Sequence, residues 1–310
     1  MTLWLVISNM RLQLFVILLT VGTLGIHTDA ALTVEVLQSV GGLPPHIVGR
    51  FEEPIGFQQT PGGPYYVFDR RGHTVYAVDS DKTTVIKLVE IGPELGRIVQ
   101  PRGFDTSPTG AFVVADAPRG IERVQIFGAG GLRLGGFTLP ARQRTAALRV
   151  DSFVLNGIAS IQYAGDNLLI SHPESGALIA EYSRGGVALR SSGRPVFQKY
   201  GQDGRLLYER HIEGVEIDRS LAALPTRWPT GRVDDRELPL VTPAVRAAAV
   251  DGGGRLWISL MEPATYVYDG QGDKIRTVQF RAAGVMSPTG MFFTDDGRLL
   301  VTPGCYDFRP

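Results

Sequence analysis

The chain has 310 residues, enough for one large or two ordinary domains with a real core. Its 31 basic and 31 acidic residues cancel, so no global field favours nucleic acid or an anionic membrane surface. A single cysteine, Cys305, excludes an intrachain disulfide and a cysteine-based zinc cluster, while 38 glycines and 20 prolines suit a fold built from many turns.

In chain order, the first element is an address. From Met10 a basic residue is followed by an apolar run from Leu12 to Ile26 and a small-residue end at Ala30. This is the layout of a secretory signal peptide, and the run is short for a spanning helix. Residues 1–30 are therefore expected to be removed, with Met10 as an alternative start. The mature chain is expected to be a secreted or periplasmic monomer with no membrane span.

Past Ala31 the chain breaks into short β-branched runs separated by glycine turns. The clearest unit runs from Pro101 to Pro140 and parses into four strands: RGFDT, AFVVAD, RVQIF and LRLGGF. Comparable units start at Pro54, Gly157 and Ala247, and a last, shorter one at Ser287. Four antiparallel strands repeated every 40–50 residues or so is the pattern of propeller blades. Inner-strand marks at Gly56, Gly103, Gly157, Val245 and Gly290 support that period, because the one long step, from Gly157 to Val245, spans about two units. An all-β propeller of six four-stranded blades is expected, with five blades plus an insertion as the alternative. The strand-like segment 32–51 is expected to complete the last blade and close the ring, which removes open sheet edges.

The sixth unit is irregular. RPVFQKYGQDGRLLYERHIEG reads as an outer hairpin with no inner strands ahead of it. A helix follows, with Ile217, Leu221 and Leu224 on one face, and then the loop-like PTRWPTGRVDDRELPL. The string SPTG occurs twice, but not in the same role. Ser287–Gly290 opens an inner strand, whereas Ser107–Gly110 is a turn between strands one and two.

The unit at 101–140 resembles the NHL repeat. It has the P-x-G start at Pro101–Gly103, the turn glycine Gly110, the apolar strand Val113–Asp116 ending in A-D, and R-V-Q-I-F at Arg123–Phe127. The unit at 54–90 matches more loosely, through Pro54–Gly56 and Val67–Asp69. The resemblance implies a propeller and says little about activity, since such propellers host enzymes, sensors and adaptors alike.

Propeller topology places the 2–3 loops and the blade-to-blade 4–1 loops on one face, around the channel mouth. Inner strands start there at Glu53, Gln100, Asn156, Thr242 and Ser287. The 2–3 loops add Asp69, Arg70, Arg71 and His73, then Asp116, Arg119 and Arg123, then His172, Glu174 and Glu262. Arginines at such a mouth can grip a carboxylate or sulfate in bidentate fashion, although many serve only as solvated loop charges. The segment 214–241, with Trp228, is expected to lie over the same face as a lid or partner-binding element. These residues favour a ligand- or protein-binding scaffold for a protein, peptide or carbohydrate, with no cofactor and no catalytic residue.

A second reading is a metal-dependent hydrolase or lyase. Glu53 in E-P-I-G resembles the opening of gluconolactonase-like propellers, where the glutamate is a calcium ligand, and Asn156 falls at an equivalent phase. That resemblance, shared with paraoxonase-like enzymes, implies calcium at Glu53 and Asn156. The zinc-dependent amidating lyase would instead require His46, His73, His172 and His211 to converge.

Overall fold

A computed structural model describes residues 34–61, 63–138, 160–164, 167–171, 177–182, 185–190, 195–201, 203–224, 230–233, 236–239 and 244–310. The expected signal segment lies outside the described residues.

Strands make up most of the regular structure of the described chain. The first sheet contains β2 (Pro54–Gln59), β3 (Tyr65–Asp69), β4 (Thr74–Val78) and β5 (Val85–Lys87), paired antiparallel in sequence order. The second repeats the design with β6 (Gly103–Thr106), β7 (Phe112–Asp116), β8 (Arg123–Phe127) and β9 (Arg133–Thr138). The turn between β6 and β7 holds Gly110 at φ +85, with its N–H donated to Ser107 O at 3.0 Å, as expected for the first SPTG.

Next the chain departs from the expected phase. β10 (Ser160–Ala164) and β11 (Asn167–Ser171) form a two-stranded sheet of their own. β12 (Ala177–Tyr182) and β13 (Gly185–Arg190) join instead with β14 (Val196–Tyr200) and β15 (Leu206–His211) in a four-stranded sheet. The hairpin at 196–211 therefore has its inner partners, and among the described residues the sheet at 160–171 has two strands. One further correction follows downstream. The segment read as loop contains a hairpin, β16 (Thr230–Val233) with β17 (Arg236–Pro239). Ahead of it, the expected helix forms as Val215–Ala222, with Ile217 fully buried.

The last two sheets share an edge. β18 (Val245–Val250), β19 (Leu256–Leu260), β20 (Thr265–Tyr268) and β21 (Lys274–Arg281) precede a short β22 (Val285–Met286), then β23 (Gly290–Phe293), β24 (Leu299–Thr302) and β25 (Tyr306–Phe308). β1 (Val34–Gly42) pairs antiparallel with β25, supplying the fourth strand of the last sheet as expected. Its first half also runs parallel to β21, from Val34 opposite Thr277 to Gln38 opposite Arg281. A single strand thus ties the last two sheets together and closes the ring. Arg298 reinforces the seam: Nε donates to Asp296 at 2.7 Å, Nη1 to Asp307 at 2.9 Å and Nη2 to Gln59 of the first sheet at 2.6 Å.

First strands lie side by side in the cyclic order β2, β6, β10, β12, β18, β23 and back to β2. Glycines make that approach possible. A Cβ at Gly56 would sit 3.1 Å from a Phe104 ring carbon, one at Gly103 would sit 2.9 Å from Ile161 Cγ2, and one at Gly290 would run into the Ile55 carbonyl. The glycine of P-x-G is therefore a contact point between neighbouring sheets. Apolar cores fill the spaces between the sheets. Tyr66, Phe68, Phe104, Phe112 and Phe127 pack between the first and second, and Trp257, Phe280, Leu299 and Phe308 between the last two. Apolar burial of this kind is the main stabilising term of such a fold.

Candidate functional site

The face formed by the 2–3 and 4–1 loops is built around two equivalent aspartates. Asp69 ends β3 and is fully buried. Its carboxylate accepts the N–H groups of Glu52 at 2.7 Å, Glu53 at 2.8 Å and Gly72 at 3.0 Å. One side chain thereby closes its own turn and fastens the incoming loop. Asp116 ends β7 at the same place in the second sheet and accepts Val99 N–H at 3.0 Å. Its carboxylate is also gripped by Arg123, through Nε at 2.7 Å and Nη2 at 2.8 Å. Arg123 spends its remaining donors on the carbonyls of Pro93 and Arg97, at 2.7 and 2.8 Å. This pair is almost fully buried, and Arg123 reaches both carboxylate oxygens and two carbonyls, as a desolvated ion pair requires.

Loop charges above these anchors pair locally. The guanidinium of Arg70 takes both carboxylate oxygens of Glu53, and the pair is about half exposed. Arg71 lies 3.6 Å from Glu52 in solvent. His73 and Arg119 hold left-handed backbones at φ +49 and +53, as does Gln100 at +52. Non-glycine residues rarely adopt this conformation. The Nδ1 of His73 is buried with no hydrogen-bond partner. Across the ring, Glu262 accepts the hydroxyl of Ser220, and Glu216 accepts Tyr266 Oη–H at 2.7 Å. Both contacts pin the 215–222 helix to the sheet at 245–281, and Ile217 anchors it in the core beside Phe197 and Tyr266. Its first turn is thus part of the packed body. Asn156, His172, Glu174, Trp228 and Thr242 lie outside the described residues.

These groups fit a hard-cation site poorly. Among the described residues no group of three or more His, Cys, Asp or Glu converges on a point. Glu53, the residue singled out by resemblance, already holds Arg70, so a cation there would have to displace a guanidinium. His46 sits in the closing segment and His211 ends an outer strand, away from His73 in the chain's layout.

A buried carboxylate at the other end of the inner strands escaped the sequence reading. Asp105 in β6 accepts Gln58 Nε2–H at 3.0 Å from β2 and Tyr163 N–H at 2.6 Å from β10. Gln58 Oε1 in turn accepts the N–H and hydroxyl of Thr106, at 2.9 and 2.7 Å. Three consecutive inner strands are joined through this one carboxyl. Burial pushes it up to about 6, against the downward pull of its hydrogen bonds from Tyr163 and Gln58. A charged residue inside a short strand, between Phe104 and Thr106, is the only sequence signal for it.

Stacked four-stranded antiparallel sheets, joined inner strand to inner strand and closed by an N-terminal strand, define a β-propeller. Solved structures of similar arrangement include a streptogramin B lyase, with TM-score 0.47 and 11% identity, covering 83% of this chain and 92% of that one. A catalytically inactive virginiamycin B lyase from Staphylococcus aureus with quinupristin gives TM-score 0.49 and 12% identity over 81% of this chain and 78% of that one. The WD40 propeller domain of Doa1 gives 0.46 and 7%, over 83% and 92%. No family model matches the chain, and no curated protein matches it. Among the described residues no helix is long and apolar enough to cross a membrane.

Proposed function

We propose that this chain is an NHL-like propeller of six blades, the third reduced to its inner hairpin, exported by its N-terminal segment to bind a ligand or partner protein. Binding is assigned to the 2–3/4–1 loop face. The observation that carries this reading is the pair of buried carboxylates, Asp69 and Asp116, which hold those loops from beneath and leave arginines and glutamates on display. A surface fixed in advance loses little entropy when a partner arrives. The same carboxylates, being saturated by N–H donors, are poorly disposed to chemistry of their own.

The test is affinity capture from the native cell envelope with three forms of the full chain. Arg70→Glu with Arg119→Glu reverses two charges on the proposed face. Asp203→Lys, on a turn between third and fourth strands, changes the opposite face. Loss of a defined partner by the double variant, with retention by Asp203→Lys and wild type, is the expected result. Equal capture by all three would overturn the assignment of this face.

A further inference from the structure

Resting on the binding face just proposed, the geometry points to Arg102 as a carboxylate-recognising residue at the channel mouth. Arg102 opens the inner strand of the second sheet, and its N–H is fixed to Ala115 O at 2.8 Å. The guanidinium is half-buried and its Nε is sealed from solvent, yet that Nε–H meets no acceptor. Among the described residues none of the guanidinium's N–H groups donates a hydrogen bond. A buried donor left unmade is unfavourable, and each one in a folded protein calls for an explanation, a bound ion among them.

The surroundings hold this arginine in place and offer it no partner. Val99 N–H bonds to the Asp116 carboxylate, and Ala117 N–H to Val99 O at 3.3 Å, so the loops on either side are tied together. Each loop contains a non-glycine residue in the left-handed region, Gln100 at φ +52 and Arg119 at φ +53. Strain of this kind persists only where neighbouring structure enforces it, and it concentrates at binding sites. Three carboxylates of this face are committed elsewhere, Glu53 to Arg70, Asp116 to Arg123 and Asp69 to three N–H groups, while Glu122 bears on Arg102 through its charge without a hydrogen bond to it. Burial lowers the basicity of Arg102, and the like charge of Arg70 adds to that, while Glu122 only partly offsets it. An incoming anion would give the Nε–H its acceptor and offset the neighbouring positive charge of Arg70.

A carboxylate suits this fork better than a phosphate. Its two oxygens match the parallel Nε–H and Nη–H donors of one guanidinium. Arg70 and Arg123 are already paired with Glu53 and Asp116, so the fork of Arg102 meets a single carboxylate on its own. The carboxylate can belong to a small organic acid or to a peptide C-terminus.

Protein labelled with nitrogen-15 at arginine Nε provides the test. Acetate should shift one Nε–H resonance saturably, and that resonance should be the one missing from the Arg102→Lys spectrum. A dialanine with a free C-terminus should act as acetate does if the site reads peptide ends, and its C-terminal amide should not. If only acetate acts, the small acid is the ligand class. The unaltered protein offers a readout free of any variant: acetate should raise Tm by about 2 °C over chloride at equal ionic strength. No carboxylate-specific rise in Tm, or movement of a resonance that survives in Arg102→Lys, overturns the inference. Capture that depends on the face while the Arg102 resonance stays still would remove the carboxylate clamp and leave the binding face standing.

Discussion

At the end of the second strand of the first two sheets stands an aspartate, Asp69 or Asp116. At the same place in the sheets at 245–281 and 290–308 stand Leu260 and Pro303, as the registers Pro54–Asp69, Val245–Leu260 and Gly290–Thr302 show. All four sheets fasten the loop that enters the inner strand. The later two do so without a carboxylate: Met261 N–H donates to Ala244 O at 2.9 Å, and Thr289 N–H to Thr302 O at 2.8 Å. A main-chain bond between Arg70 and Glu53, at 3.0 Å, shows that the first sheet has this fastening too, with the aspartate added to it. Backbone bonds leave no trace in the sequence, whereas side-chain anchors do. The repeat is therefore plain in the sequence near 101–140 and faint near 245–308, although both fold into antiparallel sheets.

Removing the side-chain anchor tests this contrast most severely. Asp116→Ala would strand the buried Arg123 cation, which is expected to lower stability by about 3–5 kcal/mol. Urea unfolding followed by tryptophan fluorescence would show it, and a loss under 1 kcal/mol, roughly the level of an exposed ion pair, would contradict the account. In the later sheets, Thr289→Val removes a hydroxyl 3.2 Å from that of Thr302 and leaves the main-chain bond intact. The expected loss is smaller, about 0.5–1.5 kcal/mol in the same measurement.

Between these extremes lies Asp105, which joins inner strands rather than loops. Asp105→Asn would turn one acceptor into a donor facing Gln58 or Tyr163 N–H, for an expected loss of about 1–3 kcal/mol at neutral pH. Its pH dependence has a definite sign. A carboxyl raised to about 6 in the folded state binds its proton more tightly than in the unfolded chain. Its contribution to stability is therefore full at low pH and lost as pH rises from about 4 to about 6. Denaturation midpoints across that window should fall more steeply for wild type than for Asp105→Asn, and parallel curves would refute the shift.

Much of the candidate face was legible because it is local. Asp69, Arg70, Asp116, Arg119 and Arg123 sit in turns or at the strand ends beside them, whose place follows from strand phase alone, and the phase was readable from Gly56, Gly103 and Gly290. What those residues do was not legible. Asp69 and Asp116 resemble exposed site carboxylates in sequence, but folding brings N–H donors from a preceding loop, some 16 or 17 residues away, onto them. Arg102 shows the reverse: nothing in P-R-G marks it, and only the packed loops reveal a donor left without an acceptor.

The sequence by itself determined the strands of the units at 54–90, 101–140 and 247–280, their turns and the closing role of the segment at 32–51, because alternation, glycine turns and a missing last strand are properties of short stretches. Tertiary structure alone decided which hairpins share a sheet. The hairpin at 177–190 has the right length and alternation to follow 160–171 or to precede 196–211, and it pairs with the latter. Hairpin formation is settled within about a dozen residues, whereas the pairing of one hairpin with the next is a choice between similar apolar edges. That choice is made by burial against the neighbouring sheets, which no local pattern records.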